Sequence, residues 1–251
     1  MKLLVTLMKP SRGGITINGQ DLQKNRRQVR SVLGYLPQDF RFFAKLSTWE
    51  FLDYSARLAG IKDNKKRNTE VETMLEEVGL FDVRDRKANK LSGGMKRRLG
   101  IAQALIGDPK IVIVDEPTTG LDPDERIRFR NLLSKMTEQE MIIILSTHIV
   151  GDISSTCNNM ALLNEGKVVF NGPPDNLVQK AKGHVFQVEV ANSEFEMVNE
   201  KYNVISTIPS VNGWDMHIVA DELTEMPSQL VEPNLEHAYV YYMEHVLKNQ
   251  A

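Results

Sequence analysis

Two uninterrupted apolar runs in the middle of the chain constrain its fold more than any other feature. They occupy residues 111–114 and 141–145. Short apolar runs without alternation are typical of strands buried on both faces, as in parallel sheets. Between the runs, Asp122 and Pro123 provide an N-cap followed by proline at the first helical position. Strand, helix and strand in this order predict an α/β domain with helices flanking a mainly parallel sheet.

A second group of signals lies before the first apolar run and predicts three helices. Ser47 and Glu50 have the spacing of a capping box, which starts the first of them. A second helix is predicted over about 65–78, and a third begins after Ser92 with one apolar face. We expect these helices to form a helical subdomain at about 46–107.

The two ends of the chain carry patterns of their own. Leucines at positions 3, 4 and 7 are spaced as at the end of a helix, which Pro10 would stop. Near the other end, short alternating strands surround one helical stretch, and residues 235–247 are predicted to form a closing helix. The sequence therefore predicts a core domain over 1–183 and a small α+β appendage over 184–251.

Composition narrows the classes of function. The formal net charge is −2, which argues against a dedicated nucleic-acid binder, so no nucleic acid is expected as a partner. A single cysteine excludes an internal disulfide. The longest aliphatic run, 141–145, is far shorter than the roughly 20 residues of a membrane-spanning helix. Work at a membrane would therefore require docking to a partner.

The segment LSGGM at 91–95 is a candidate anion site. Gly93 and Gly94 leave backbone N–H groups bare at the start of a helix, and Ser92 adds a hydroxyl group. Unpaired N–H groups and the helix dipole together favour an anion there. Taken alone, the same residues are equally consistent with a flexible helix cap.

Asp115 and Glu116 directly follow the first apolar run. In open α/β sheets, ligands bind at the carboxyl ends of the strands. Two adjacent carboxylates at that position can have different roles. Asp115 would hold Mg²⁺ through its water shell, and Glu116 would act as general base toward an attacking water. A structural pair that caps the next helix is the alternative.

Four segments in a fixed order carry a resemblance to a known family. They are YLPQ at 35–38, LSGGM at 91–95, IVIVDEPTTGLD at 111–122 and LSTH at 145–148. Over about residues 1–180 the chain resembles the ATP-binding subunits of ABC transporters, in which these segments are the Q-loop, the signature motif, the Walker B strand with its D-loop, and the switch histidine. The resemblance implies a P-loop-NTPase-type ABC ATPase core.

The same resemblance implies roles for individual residues. Gln38 would contact Mg²⁺ and the attacking water, beside the metal-binding Asp115 and the catalytic base Glu116. His148, after a buried strand, would donate a hydrogen bond to the γ-phosphate of ATP. The signature residues 92–94 would act in trans on ATP held by a second subunit. Asp122 of the D-loop would cross the same dimer interface, and it is also a simple N-cap for the next helix.

One element of the family pattern has no counterpart in the chain. The motif G-x-x-x-x-G-K-[ST], or Walker A P-loop, cradles the phosphates of ATP, and residues 1–251 do not contain it. The segment starting at Met1 aligns with the helix that follows this loop. We expect an N-terminal truncation, with the true start upstream of Met1; a genuine fragment is the alternative. The 251-residue chain alone is expected to be inactive.

The resemblance extends to partners and location. It implies an ATPase that powers a bacterial exporter of drugs, antibiotics or lipids, paired with a transmembrane permease subunit and a second ATPase subunit, identical or different. Such a subunit is cytoplasmic and peripheral to the inner face of the cell membrane. Two alternatives stay open: a soluble ABC ATPase of DNA repair or translation, and a non-catalytic partner that supplies only the signature motif.

An aromatic cluster follows the predicted Q-loop. Its members are Phe40, Phe42, Phe43 and Trp49. In the family, this region lies where the membrane subunit docks, so the cluster is a candidate docking surface. A locally packed cluster explains the same residues equally well.

Overall fold

The computed structural model describes residues 1–137 and 141–248. The chain divides into two compact units, Met1–His148 and Ile149–Ala251. In the described ranges, no helix is both long enough and apolar enough to cross a membrane.

The first unit alternates strands and helices, as the apolar runs predict. Its elements in chain order are β1 (Thr16–Ile17), β2 (Gln20–Asp21), α1 (Arg26–Arg30), β3 (Leu33–Leu36), α2 (Thr48–Leu58), α3 (Asn64–Glu77), α4 (Gly93–Leu105), β4 (Ile111–Asp115), α5 (Pro123–Thr137) and β5 (Ile142–Ser146). Two 3₁₀ turns, Phe81–Val83 and Ala88–Lys90, lie between α3 and α4.

A parallel three-stranded sheet, in the order β3-β4-β5, forms the centre of the first unit. The register aligns Leu36 with Val114, and Asp115 with Ser146. The carboxyl ends of the three strands therefore lie side by side. Strand β4 is buried along most of its length, with Val112, Ile113 and Val114 at most 1% exposed. The prediction of a parallel sheet built on these runs is confirmed. Burial on both faces is confirmed for β4 but is wrong for β5, which is an edge strand with Ile142 61% exposed.

The three predicted helices before β4 are present and begin where their capping residues indicate. Ser47 caps α2, and both bonds of its capping box with Glu50 are formed. Asp53 of α2 and Arg67 of α3 form a buried ion pair with an N–O distance of 2.5 Å. Ser92 caps α4 by accepting a hydrogen bond from the Met95 N–H at 3.2 Å. The helices pack into one apolar cluster with β4.

Helix α4 approaches β3 so closely that Gly34 has no room for a side chain. A Cβ atom at Gly34 would lie 1.9 Å from the backbone carbonyl oxygen of Ala104. Since a backbone atom cannot rotate away, a larger residue must push α4 from the sheet. The glycine thus sets the distance between the strand that precedes Gln38 and the helix that follows the signature motif.

We expect Gly34→Ala to destabilise the first unit by about 3 kcal/mol, at the upper end of ordinary overpacking costs. Urea denaturation followed by the fluorescence of Trp49, in a Trp214→Phe background, measures this unit separately. Gly14→Ala is the matched control, because a Cβ at Gly14 would meet nothing within 4 Å; its effect should stay within about 0.5 kcal/mol. Equal effects of the two substitutions would contradict the close packing of α4 on β3.

The predicted helix end at the amino terminus is wrong. Residues 2–6 form turns, and Thr6 has a φ of 63°. The side chains of Leu3, Leu7 and Met8 are exposed, so no packed face stabilises a helix there. A segment this short does not repay the cost of helix nucleation by itself.

The second unit is α+β. Its elements are α6 (Val150–Ser154), β6 (Met160–Asn164), β7 (Lys167–Gly172), α7 (Pro174–Lys180), β8 (Val185–Ala191), α8 (Phe195–Lys201), β9 (Asn203–Ser210), β10 (Gly213–Val219), β11 (Gln229–Leu230) and α9 (Leu235–Tyr241). Strands β6 and β7 form a hairpin, and an antiparallel sheet has the order β11-β8-β10-β9. The predicted closing helix is α-helical to Tyr241 and continues as a π-helix over Tyr242–Val246.

The boundary between the two compact units lies 35 residues before the domain boundary predicted between 183 and 184. Residues of the β6–β7 hairpin and α7, such as Phe170 and Leu177, share one apolar cluster with Ala238 and Tyr241 of α9. Packing therefore joins the hairpin to the carboxyl-terminal segment, whereas the change in composition occurs only after it. The subdivision at 183 stays a prediction.

Candidate functional site

The parallel sheet brings four of the predicted site residues to one edge. Gln38 follows β3, Asp115 and Glu116 end and follow β4, and His148 follows β5. The closest contact among them joins Glu116 Oε2 and His148 Nδ1, 2.7 Å apart. Since a carboxylate only accepts hydrogen bonds, this contact requires the imidazole proton on Nδ1.

Asp115 is held by hydroxyl groups on both neighbouring strands. Its Oδ1 accepts a hydrogen bond from Ser146 Oγ at 2.5 Å, and its Oδ2 accepts one from the Tyr35 hydroxyl at 3.5 Å. Burial, together with the nearby charge of Asp115, raises the pKa of Tyr35, so the hydroxyl keeps its proton and remains a donor. The carboxylate is thereby fixed at the carboxyl edge of the sheet.

Glu116 adopts a backbone conformation that is uncommon for a residue with a side chain, with a φ of 49°. Its N–H donates to the carbonyl oxygen of Ser146 at 3.0 Å and lies 3.2 Å from the Ser146 hydroxyl. Its carboxylate accepts a second hydrogen bond, from Thr119 Oγ1 at 3.1 Å. The turn aims a mostly buried carboxylate at His148, whose side chain is 67% exposed.

Gln38 lies in an exposed turn directly after β3. Its backbone carbonyl accepts a hydrogen bond of 2.8 Å from Arg97 Nη1. Gln38 itself is exposed.

The signature residues lie at the start of α4. Ser92 and Gly93 are exposed, and a Cβ at Gly93 would meet open space. Gly94 is buried, and a Cβ there would collide with the Glu125 side chain at 2.3 Å. Ser92 and Gly93 therefore stand on an open helix terminus, where an anion site stays a prediction, and Gly94 serves the packing against α5.

Asp122 caps α5. Its Oδ1 accepts a hydrogen bond of 2.8 Å from the N–H of Glu125, and Pro123 is the first residue of the helix. The capping interpretation of this residue is confirmed, and its side chain is exposed. A role at a dimer interface stays a prediction.

Arg97 was not expected at the site. Its guanidinium group donates to the carbonyl oxygens of Pro37, Gln38, Glu116 and Pro117 at 2.8–3.2 Å. Burial lowers its pKa, while the carboxylates of Asp39 and Glu116 oppose that shift. A signal was present in the sequence, because Arg97 precedes the buried Ile101 and Ala104 by four and seven residues and so lies on the inner face of α4.

The aromatic cluster after the Q-loop is packed in part and exposed in part. Phe40 and Phe51 meet edge to face with ring centroids 5.9 Å apart. Phe43 contacts Tyr54 in the same way at 5.5 Å, yet 56% of its surface is exposed. Local packing is confirmed for Phe40. Phe43 and Tyr54 together form an exposed aromatic surface.

The carboxyl edge of the sheet suits a cation whose ligands are mostly water molecules and substrate oxygens. Among the described residues, no group of three or more His, Cys, Asp or Glu side chains could enclose a metal ion. Mg²⁺ commonly uses one or two protein oxygens and completes its shell with water and substrate phosphates. The oxygens of Asp115 and Gln38 fit that type of site.

Comparison with known proteins agrees with the motifs. Residues 1–119 match the sequence profile of the family described as ABC transporter. The chain is 31% identical over 234 residues to the uncharacterized ABC transporter ATP-binding protein YhcH of Bacillus subtilis (strain 168), an alignment that covers 92% of this chain and 74% of YhcH. The chain belongs to the family of ABC transporter ATP-binding subunits.

Two further relatives in this family are longer than this chain. The chain is 36% identical over 186 residues to the probable multidrug ABC transporter ATP-binding protein YbhF of Escherichia coli (strain K12), which covers 74% of this chain but only 32% of YbhF. It spans 66% of YxlF of Bacillus subtilis at 31% identity. The chain thus spans a third to two thirds of the length of these relatives.

The fold class predicted from the sequence is confirmed by structures of the family. The structure of an ATP-binding subunit of an ABC transporter matches with a TM-score of 0.62 and 30% identity, covering 71% of this chain and 74% of that one. CbiO1 from Clostridium perfringens, part of the ABC transporter complex CbiONQ, matches with a TM-score of 0.64 and 27% identity, covering 72% and 76%. The mixed α/β fold, with its parallel sheet and helices, is therefore that of an ABC ATPase core, and the bounds of the helical subdomain stay a prediction.

Proposed function

We propose that this ABC ATP-binding subunit hydrolyses ATP with Glu116 as the catalytic base and thereby powers an exporter. The observation that carries the proposal is the 2.7 Å contact between Glu116 Oε2 and His148 Nδ1, beside the fixed carboxylate of Asp115. The strand ends, where α/β sheets bind their ligands, thus bring together three groups. They are a base (Glu116), a hydrogen-bond donor (His148) and an oxygen ligand for a cation (Asp115).

The proposed reaction assigns one step to each side chain. Glu116 accepts a proton from a water while the oxygen of that water forms a bond to the γ-phosphorus, and the bond from this phosphorus to the ADP oxygen breaks. Gln38 orients the water through its neutral amide. His148 leaves its contact with Glu116 to donate a hydrogen bond to the γ-phosphate. Mg²⁺, held by Asp115 and Gln38, would offset the negative charge of the phosphates.

A second ATPase subunit would complete each site. Ser92 and Gly93 stand on an exposed helix terminus, which suits the binding of a phosphate presented from outside the chain. Gly94 and Asp122 would hold the signature helix and the D-loop in place for this contact. Closure of two such subunits around ATP would drive the conformational cycle of the transporter.

A second candidate function is that of a non-catalytic partner subunit. The chain would then supply its signature residues to ATP held by the P-loop of a partner, without hydrolysing ATP itself. The exposed Ser92 and Gly93 are intact for that task. A non-transport ABC ATPase is less well supported, since the relatives are named as ABC transporter proteins.

A transmembrane permease is the proposed partner at the membrane, and the subunit would lie on the cytoplasmic face. The relative YbhF is named as a probable multidrug ABC transporter ATP-binding protein, which supports an exporter. The aromatic surface of Phe43 and Tyr54 would contact the permease. A short turn of the chain would then connect this docking surface to Gln38.

We expect the tagged chain, purified in mild detergent from its native host, to carry with it a protein with several hydrophobic spans and an Mg²⁺-dependent ATPase activity. Phe43→Ser should lower the recovery of this membrane protein several-fold, because it removes an exposed aromatic side chain. Val211→Ser is the control, since Val211 is fully exposed in the turn between β9 and β10. Purification without any membrane protein would argue against a transporter subunit.

A further inference from the structure

Arg97 joins the two loops that carry the proposed catalytic groups. Its Nη1 donates to the carbonyl oxygens of Pro37 and Gln38 at 3.2 and 2.8 Å. Its Nε donates to Pro117 and its Nη2 to Glu116, at 2.8 and 2.9 Å. One planar group therefore binds the turn after β3 and the turn after β4 at the same time.

The peptide groups on both sides of Glu116 are anchored by different elements. Its N–H is bound to Ser146, at the end of β5, and its carbonyl oxygen is bound to Arg97 of α4. A non-glycine residue with positive φ persists only when its surroundings hold it from several sides. Arg97 supplies one of these sides, and it does so from the helix that begins at the signature residues.

We propose that Arg97 is a positioning residue that fixes Gln38 relative to Glu116 and transmits movements of α4 to both. This inference rests on the catalytic roles proposed above for those two residues. Within the described residues, the hydrogen bonds of Arg97 all go to backbone carbonyls, so it sets the place of the side chains that act on the water. A shift of α4 during closure on a partner's nucleotide would move the two loops together.

The neighbouring Arg98 provides a matched comparison. It is also largely buried and also donates to backbone carbonyls, those of Val78 and Gly79, at 3.0 and 2.9 Å. These carbonyls end α3 and belong to the helical subdomain. Lysine at either position keeps the charge, but at position 97 its single nitrogen cannot span two loops as the fork of a guanidinium does.

Backbone ¹⁵N relaxation of the purified chain tests the positioning directly, without ATP. In the wild type, Gln38 and Glu116 should both show order parameters near about 0.85, and Arg97→Lys should lower both below about 0.6. Arg98→Lys should leave the order parameters of Gln38 and Glu116 unchanged, because Arg98 contacts Val78 and Gly79 instead. If Arg97→Lys does not fold, Arg97→Gln, which keeps two amide donors, replaces it.

Three results would overturn the proposal: a Gln38 that is already mobile in the wild type, a change at only one of the two loops, or a uniform loss of order throughout the first unit. Each would show that Arg97 does not hold the two catalytic groups in a fixed relation.

A double-mutant cycle in the ATPase assembly purified from the native host tests the catalytic consequence. Arg97→Lys should lower kcat by about 10-fold with KM for ATP unchanged, since small misplacements of reacting groups slow the chemical step. In a Glu116→Gln background, the same substitution should have little further effect. If the double variant lowers kcat by the product of the two separate factors, Arg97 does not act through Glu116 and the proposal is overturned. If the wild-type assembly hydrolyses no ATP, the proposed function fails, while the relaxation measurement still decides the role of Arg97.

Discussion

Glu116→Gln is expected to slow ATP hydrolysis by about 100-fold or more in the native assembly, because a positioned general base contributes about that factor. Glutamine has nearly the same shape and keeps an oxygen that can accept the hydrogen bonds of Thr119 and His148, but it cannot take the proton of the attacking water. ATP binding should therefore persist, and subunits should accumulate in the closed dimer. Turnover rates and nucleotide-dependent size-exclusion chromatography measure the two effects.

Glu165→Gln is the matched control for this substitution. Glu165 has the same φ of 49° and lies exposed in the turn between β6 and β7, so the control repeats the chemical change in the same backbone conformation. It should leave turnover unchanged. Unchanged turnover in Glu116→Gln as well would remove this carboxylate from the mechanism.

Residues 1–251 as an isolated polypeptide are expected neither to hydrolyse ATP nor to bind Mg-ATP at micromolar concentration. The P-loop motif, a ring of backbone donors plus a lysine, is not among these residues. Charge-assisted hydrogen bonds contribute about 1.5–3 kcal/mol each, so the lost affinity amounts to several kcal/mol. Isothermal titration calorimetry with Mg-ATP on the purified chain measures it.

The native assembly with a subunit that carries an intact P-loop is the positive control for this titration, and Glu116→Gln separates the two candidate functions there. If the chain supplies only signature residues, Glu116→Gln should leave the turnover at the partner's site unchanged, whereas Ser92→Ala should abolish it. Micromolar binding with turnover by the isolated chain would instead mean that the nucleotide site lies elsewhere in the sequence.

Local signals explain why much of the fold could be predicted. The apolar runs gave β4 and β5, and the capping residues Ser47, Ser92 and Asp122 gave the starts of three helices, because these features depend on neighbours in the chain. The turns at residues 2–6 could not be predicted from leucine spacing. Whether spaced leucines form a helix there depends on packing against other segments, and Leu3 and Leu7 are exposed.

The site shows the same limit. Asp115, Glu116 and His148 could be placed together, since parallel neighbouring strands end at one edge. Ser146 and Arg97, which hold Asp115 and Glu116, were not predicted. Their roles arise from contacts between residues 19 to 31 positions apart, which only the packing of α4 and β5 against β4 creates.

The positive φ of Glu116 has a consequence for attempts to engineer this subunit. Glycine or asparagine fits that backbone conformation with less strain than glutamate. A screen that rewards only thermal stability would therefore enrich replacements at position 116 and discard the carboxylate that is proposed to do the chemistry. Such a screen needs a parallel selection for turnover, because at this residue the most stable chain and the most active chain have different sequences.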